Sequence, residues 1–233
     1  MTMIEIRRSG NGAVLKQIES DTLEGADLAQ ADLRHASLGG ARLVKAGLHR
    51  ANLMGADLEG ASLNQADLSR AILKGADLRR AKMNKANLDG ARLMIGDLAD
   101  ADLVAANLVN AMLQDASLVR VDFRCAKLGR ANLRGAKLTE AQMGASNLEE
   151  ADLRDTMLMD ADMRHVNLAR ANLTDADLRG ANLMDAELSG ANLTRANLCG
   201  ANMTCARLTD VNFTKVEFDK HTVWPEGFTP PGE

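Results

Sequence analysis

From Leu23 to Phe218 every fifth residue is Leu, Met or Phe, and the register never slips. Of these 40 positions 33 are Leu, four Met and three Phe, so the spacing is a rule of the chain and not a local run. Two residues before each stands a small residue, usually Ala, and Asp or Asn most often lies between, as in Ala26-Asp27-Leu28 and Ala181-Asn182-Leu183. Ala and Leu favour helix by propensity. A step of five, however, turns an α-helix about 140° beyond a full turn, which would spread the leucines over every face. A flat strand fails as well, because an odd period sends alternate leucines to opposite sides. The spacing predicts short extended segments with Ala and Leu both pointing inward, joined by right-angle turns. Four such units close a square coil of twenty residues.

The other residue types fit this geometry. Four Ala and four Leu per coil fill a narrow interior, and bulkier residues at the Ala position would overpack it. Asp and Asn beside the corners suit local side-chain bonds to a turning backbone. Gly recurs two residues after the central Leu (Gly25, Gly55, Gly135), where some turn types need positive φ. Coils stacked at about 4.8 Å make ten coils a rod of about 48 Å. The uninterrupted (Ala)(Asp/Asn)(Leu)xx pattern, covering about 200 of the 233 residues, resembles the pentapeptide-repeat family. That resemblance implies an all-β fold, a right-handed quadrilateral parallel β-helix; periodicity alone implies a closed coil without its handedness.

Three segments follow. Residues 1–20, with Ile4-Glu5-Ile6-Arg7-Arg8 and Ala13-Val14-Leu15-Lys16 about Ser9-Gly10-Asn11-Gly12, predict a β-hairpin cap over the first coil. Residues 21–220 form the repeat array. Residues 221–233 form a C-terminal cap or tail that holds all three prolines, which oppose further strand addition. Val223, Trp224 and Phe228 are candidates to close the last coil, or alternatively to contact a second copy in a homodimer.

Composition narrows the chemistry. Aromatics make up only 2% of the chain, consistent with a thin Ala/Leu interior. The net charge of -4 disfavours direct nucleic-acid or membrane binding through charge. Cys125, Cys199 and Cys205 offer neither a disulfide framework nor zinc spacing, and fit a reducing compartment. There is no signal-length or membrane-length apolar run, and a cytoplasmic location is expected. His35, His49 and His165 fall on three different faces of the coil, and His221 lies in the tail. The glycines follow the repeat and form no phosphate loop. No nucleophile, base and orienting group converge, so neither enzymatic activity, a metal nor a cofactor is expected.

Function is therefore expected in the outward positions. The face running from Leu38 to Phe218 has a charge of about -4, but basic residues interrupt its acidic patches. On the face that begins at Leu33, Met54, Ile72, Met94, Ile95 and Met112 predict one contiguous exposed apolar strip. Val104, Val109 and Val119 girdle the coil of Met112, and Met157 with Met159 forms a smaller second candidate. These features point to a non-enzymatic scaffold that presents a rigid surface to a protein partner. The alternative, raised by the resemblance, is a DNA-mimicking binder of DNA gyrase of the quinolone-protection type. Central Leu in place of many Phe, the absence of interrupting loops and the mixed charge all depart from that subgroup.

Overall fold

The computed structural model describes residues 3–230. Met1, Thr2 and residues 231–233 of the expected caps lie outside the described residues. Parallel bridges link residues twenty apart along the array, from Asp27↔Gly47 to Asn197↔Glu217, so four repeats make one coil. The Ala and central Leu positions are buried from Leu43 onward through almost all of the array, and together they form one continuous core. Ser146 and Thr156 take Ala positions in that core. Each hydroxyl donates back to the carbonyl three residues earlier, at 2.7 Å to Met143 and 2.6 Å to Leu153, so the buried oxygen is satisfied.

The five N–H groups of a repeat can be followed one by one, as the repeat Ala26–Gln30 shows. The Ala26 N–H donates to the Leu23 carbonyl (3.1 Å) and closes a turn. In the array proper, the second residue donates to the coil before it, as Gly47 does to Ala26 (2.9 Å). The third and fifth donate to the coil after it, as Leu28 does to Gly47 (2.7 Å) and Gln30 to His49 (2.9 Å). Within the array proper, only the fourth N–H has no backbone partner. It is capped by the side chain at the second position, where Asp27 Oδ1 accepts from Ala29 N–H at 3.0 Å. Asp or Asn recurs there because each carries an oxygen at the right reach for an Asx turn.

The turns correct a narrower expectation. Positive φ is not confined to glycines: it occurs at the fifth position of nearly every repeat, as at Gln65 (59°), Asp155 (59°) and Arg170 (57°). With an i→i+3 hydrogen bond and positive φ only at the third turn residue, these are type II turns. Stacking imposes the left-handed conformation on whatever residue the repeat supplies.

The ends differ. Strands β1 (Met3–Arg7) and β2 (Val14–Glu19) pair antiparallel, with a bulge between Ile6 and Arg7. Ile6 is buried, and Leu15 and Ile18 pack on the core. Ser37 N–H donates to the Arg7 carbonyl (2.8 Å) and Ser9 N–H to that of His35 (2.7 Å), so the hairpin covers one free edge of the first coil. At the other end Val223 continues the ladder beside Asn202.

Arginines at the fourth position clamp the capping aspartates. Arg154 Nη2 lies 2.7 Å from Asp152 Oδ2, and Arg164 and Arg179 lie 2.6 Å from Asp162 and Asp177. The guanidinium hydrogen bonds hold these three carboxyls below the usual range, and Arg34 holds that of Asp32 down to about 2. Groups whose pKa is lowered by folding stabilise the fold above the unfolded aspartate value of about 3.9 and lose that contribution as they protonate. Thermal melts are accordingly expected to be level near neutrality and to fall as pH drops from about 4 towards about 2. In the core, Leu113→Ala is expected to cost about 2–5 kcal/mol in guanidinium unfolding, because the close-stacked coils cannot collapse onto the void.

Candidate interaction surface

Ladder stacking fixes what lies beside each predicted strip residue. The second-position column of the Leu33 face runs Asn52, Ile72, Arg92, Met112, Asn132. The fourth-position column runs Met54, Lys74, Met94, Gln114, as the cross-coil bonds Gly55 to Lys74, Gly75 to Met94 and Ile95 to Gln114 show. Exposed Arg92 and Lys74 therefore interrupt the strip, and the expectation of one contiguous exposed surface is corrected. Met54, Ile72, Met94 and Met112 are half-buried against neighbouring side chains, and only Ile95 stands well clear, at 57% exposure. The residues share one face as an apolar group centred on Met94 and Ile95, with two cations set into it. Val104, Val109 and Val119 are likewise half-buried. In the second candidate Met157 is 42% exposed, while Met159 is half-buried with its sulfur 3.1 Å from Arg179 Nη2.

Three of these side chains occupy positions that the fold would fill otherwise. Ile72, Met112 and Met157 replace the capping Asp or Asn, and the N–H groups they leave, on Lys74, Gln114 and Met159, make no hydrogen bond among the described residues. Ile95 has φ 52° and is, among the described residues, the one β-branched side chain in a left-handed position. A left-handed residue with a Cβ costs roughly 1–2 kcal/mol, and β-branching adds to the crowding. Its Cδ1 lies over Gly75 of the preceding coil. The next residue is Gly96 in a core position otherwise held mostly by Ala, where an added Cβ would lie 3.0 Å from the Leu93 carbonyl oxygen. The substitution of a capping residue by an apolar one is visible in the sequence once the cap's role is known; the unfavourable φ of Ile95 is not.

At the C-terminal end Trp224 stacks on Phe228, with centroids 5.2 Å apart and planes 20° apart. Phe218 and Phe213 meet Trp224 edge-on at 5.3 and 5.7 Å. The Thr222 hydroxyl donates to the Leu198 carbonyl (2.9 Å) and anchors the segment that carries these rings. Val223 is 48% exposed, whereas Trp224 and Phe228 are half-buried in the cluster.

Elsewhere the surface carries open hollows, among them one of about 370 Å³ lined by Gln114, Asp115, Arg134, Gly135 and Asp155. A hollow of about 150 Å³ is lined by Val109, Gly129, Arg130, Glu149 and Glu150. Its charges are already committed, Arg130 to Glu150 at 2.7 Å and Arg170 to both Glu149 and Glu150. Among the described residues no group of His, Cys, Asp and Glu could hold a metal ion, and no helix is long and apolar enough to cross a membrane. The histidines are dispersed: His35 lies against Gly55, His49 Nδ1 is 2.8 Å from Ser69 Oγ, and His165 is 3.7 Å from Asp185.

The array matches the family described as pentapeptide repeats in eight copies between residues 23 and 219: 23–60, 61–94 and six overlapping copies from 101 to 219. Among solved structures, HetL, a pentapeptide-repeat protein involved in heterocyst differentiation regulation from the cyanobacterium Nostoc sp. strain PCC 7120, is 32% identical. That alignment covers 85% of this chain and 90% of HetL, with a TM-score of 0.41. Full-length QnrB1, a plasmid-mediated fluoroquinolone resistance protein, is 19% identical over 86% of this chain and 92% of its own, with a TM-score of 0.49. Rfr23 from the cyanobacterium Cyanothece 51142 is 38% identical over 44% of this chain and 63% of its own, with a TM-score of 0.20. No curated protein sequence matches the chain. With its stacked coils, its Asx-capped turns and a family match across nearly the whole array, the chain belongs to the pentapeptide-repeat family, whose members fold as right-handed quadrilateral β-helices.

Proposed function

We propose that this protein is a non-enzymatic scaffold that docks a protein partner on the Leu33 face, around Ile95, Met94, Ile72, Met112 and Met54. The observation that carries this reading is the placement of unfavourable residues. Ile72 and Met112 each forgo a capping hydrogen bond, worth about 0.5–1.5 kcal/mol. Ile95 adds a strained and solvent-facing turn beside them. Strain and exposed apolar surface that gather at one place support a binding role, since the fold itself gains nothing from either. The mimicry reading draws no comparable support, because many surface carboxylates are neutralised by arginines of their own or the adjoining coil. The C-terminal rings engage one another, which favours an end cap over a contact between two copies.

The test uses Ile72→Asp/Ile95→Asp. Aspartate at 72 restores the missing cap, and aspartate is accepted at φ near 59° at positions 155 and 175. The double variant is therefore expected to melt no lower than wild type, with each kcal/mol gained raising Tm by about 2–4 °C. Affinity capture from the source cell's lysate is expected to lose a partner that wild type retains. A variant that melts clearly lower assigns these residues to stability. One that keeps every captured protein removes the strip from function.

A further inference from the structure

A second surface stands apart from the apolar group, on the face that begins at Leu23. In repeats 41–45, 61–65 and 81–85 this face contains no carboxylate. Arg42 and Lys82 hold second positions, where the fold otherwise favours Asp or Asn, and Lys45 and Lys85 hold left-handed fifth positions. All four are exposed. The ladder Arg42↔Ser62↔Lys82 sets each pair two coils apart, about 10 Å at about 4.8 Å per coil. The repeat between them presents only hydrogen-bonding groups, on Ser62, Asn64 and Gln65.

These cations differ from most arginines of the chain. Lys45, Lys82 and Lys85 have no ion-pair partner among the described residues, and Arg42 meets only Glu24, at 3.4 Å. The cap that Lys82 cannot supply comes from the adjoining coil, since Asn64 Oδ1 accepts from Asn84 N–H at 3.0 Å. The lysine thus sits in the capping position without leaving that donor empty. The patch is also short. Glu24 bounds it on one side, and Asp102 and Asp122 follow on the same face beyond Lys85.

We infer that this face docks an acidic helical segment of a partner protein. Carboxylates seven residues apart on a helix are separated by about 10.5 Å, which matches the two-coil spacing of the cations. Charge complementarity on an exposed patch of this kind governs encounter and specificity. A nucleic-acid strand lying along the face would leave the cations and meet Asp102 and Asp122, whereas a helix of two turns ends before them. The inference rests on the scaffold reading but uses a different face, so each can fail without the other.

The probe is a fluorescein-labelled helical peptide with glutamates seven residues apart, titrated by anisotropy into the full chain. Wild type is expected to bind it, with affinity falling about tenfold or more as salt rises from about 50 to about 300 mM. Lys45→Glu/Lys82→Glu/Lys85→Glu is expected to abolish binding and remain folded. Glutamate already caps at position 187, where Oε1 accepts from Ser189 N–H at 2.9 Å, and is accepted at φ 59° at positions 140 and 150. Lys127→Glu/Lys137→Glu, on the other faces, is expected to bind as wild type does. Absence of peptide binding to wild type, unchanged binding to the triple variant, or tighter binding of a single-stranded oligonucleotide of equal charge would overturn the inference. Capture through the Leu33 face that survives in the triple variant keeps the scaffold reading intact whatever the peptide does.

Discussion

The architecture turns on a single backbone donor per repeat. Four of the five N–H groups are satisfied by stacking and by the type II turn, and the fourth-position N–H is not. A capping bond at that donor is worth about 0.5–1.5 kcal/mol net, and every repeat presents the same problem of an open N–H. Asp or Asn two residues earlier solves it locally, within the repeat and without reference to any other coil. The solution also places a charge or amide at a fixed point on every face, and an arginine two residues on can clamp it. Core, turn and surface electrostatics are therefore coupled through one side chain.

This coupling separates the side chains that serve the fold from those that do not. Where the second position holds Asp or Asn, the surface serves the fold. On the Leu33 face, the C-terminal coils show the extreme form: Asn172, Asn192 and Asn212 each cap a threonine N–H and also accept its hydroxyl at 2.6 Å. Such side chains have few hydrogen-bonding sites left for a partner. Where the second position holds Ile72, Met112, Arg42 or Lys82, the local bond is given up, and the position carries a half-buried apolar side chain or an exposed cation instead. Departures from the repeat are thus the positions whose side chains are released from the capping role.

Much of this was legible before any coordinates. The period of five, the inward Ala and Leu, the corner role of Asp and Asn, the twenty-residue coil and the hairpin at the N-terminus follow from residue spacing and side-chain size. The left-handed fifth position was legible only where Gly occupied it, because sequence records a tolerant residue and stays silent when stacking forces Gln65 or Arg170 into the same φ. The continuity of the apolar strip failed for a related reason. Spacing assigns residues to a face, but Lys74 and Arg92 stand in the same columns as Met94 and Met112, and neighbours in a column matter as much as membership of a face. Cross-coil groups such as Arg120 with Asp100, or Asn64 with Asn84, depend on side-chain direction across the stack, which spacing alone does not specify.

The placement of the two surfaces has a mechanical logic. In a solenoid each coil is held by its neighbours, so opening is easiest at the ends and hardest between well-packed coils. The apolar group spans residues 54–112 and the cationic patch 42–85, so both lie in the N-terminal half of the array. The hairpin secures that end through Ile6 and the bonds from Ser37 and Ser9. At the far end the Trp224 cluster closes a stretch of array whose outward residues mostly bond one another. The two surfaces lie on opposite sides of the square coil, with the Leu28 face between them on one side and the Leu38 face on the other, so a single partner that used both would have to wrap across a whole face, while two partners could be held at once on opposite sides. A rigid square section suits the second arrangement, because neither surface can move to meet the other.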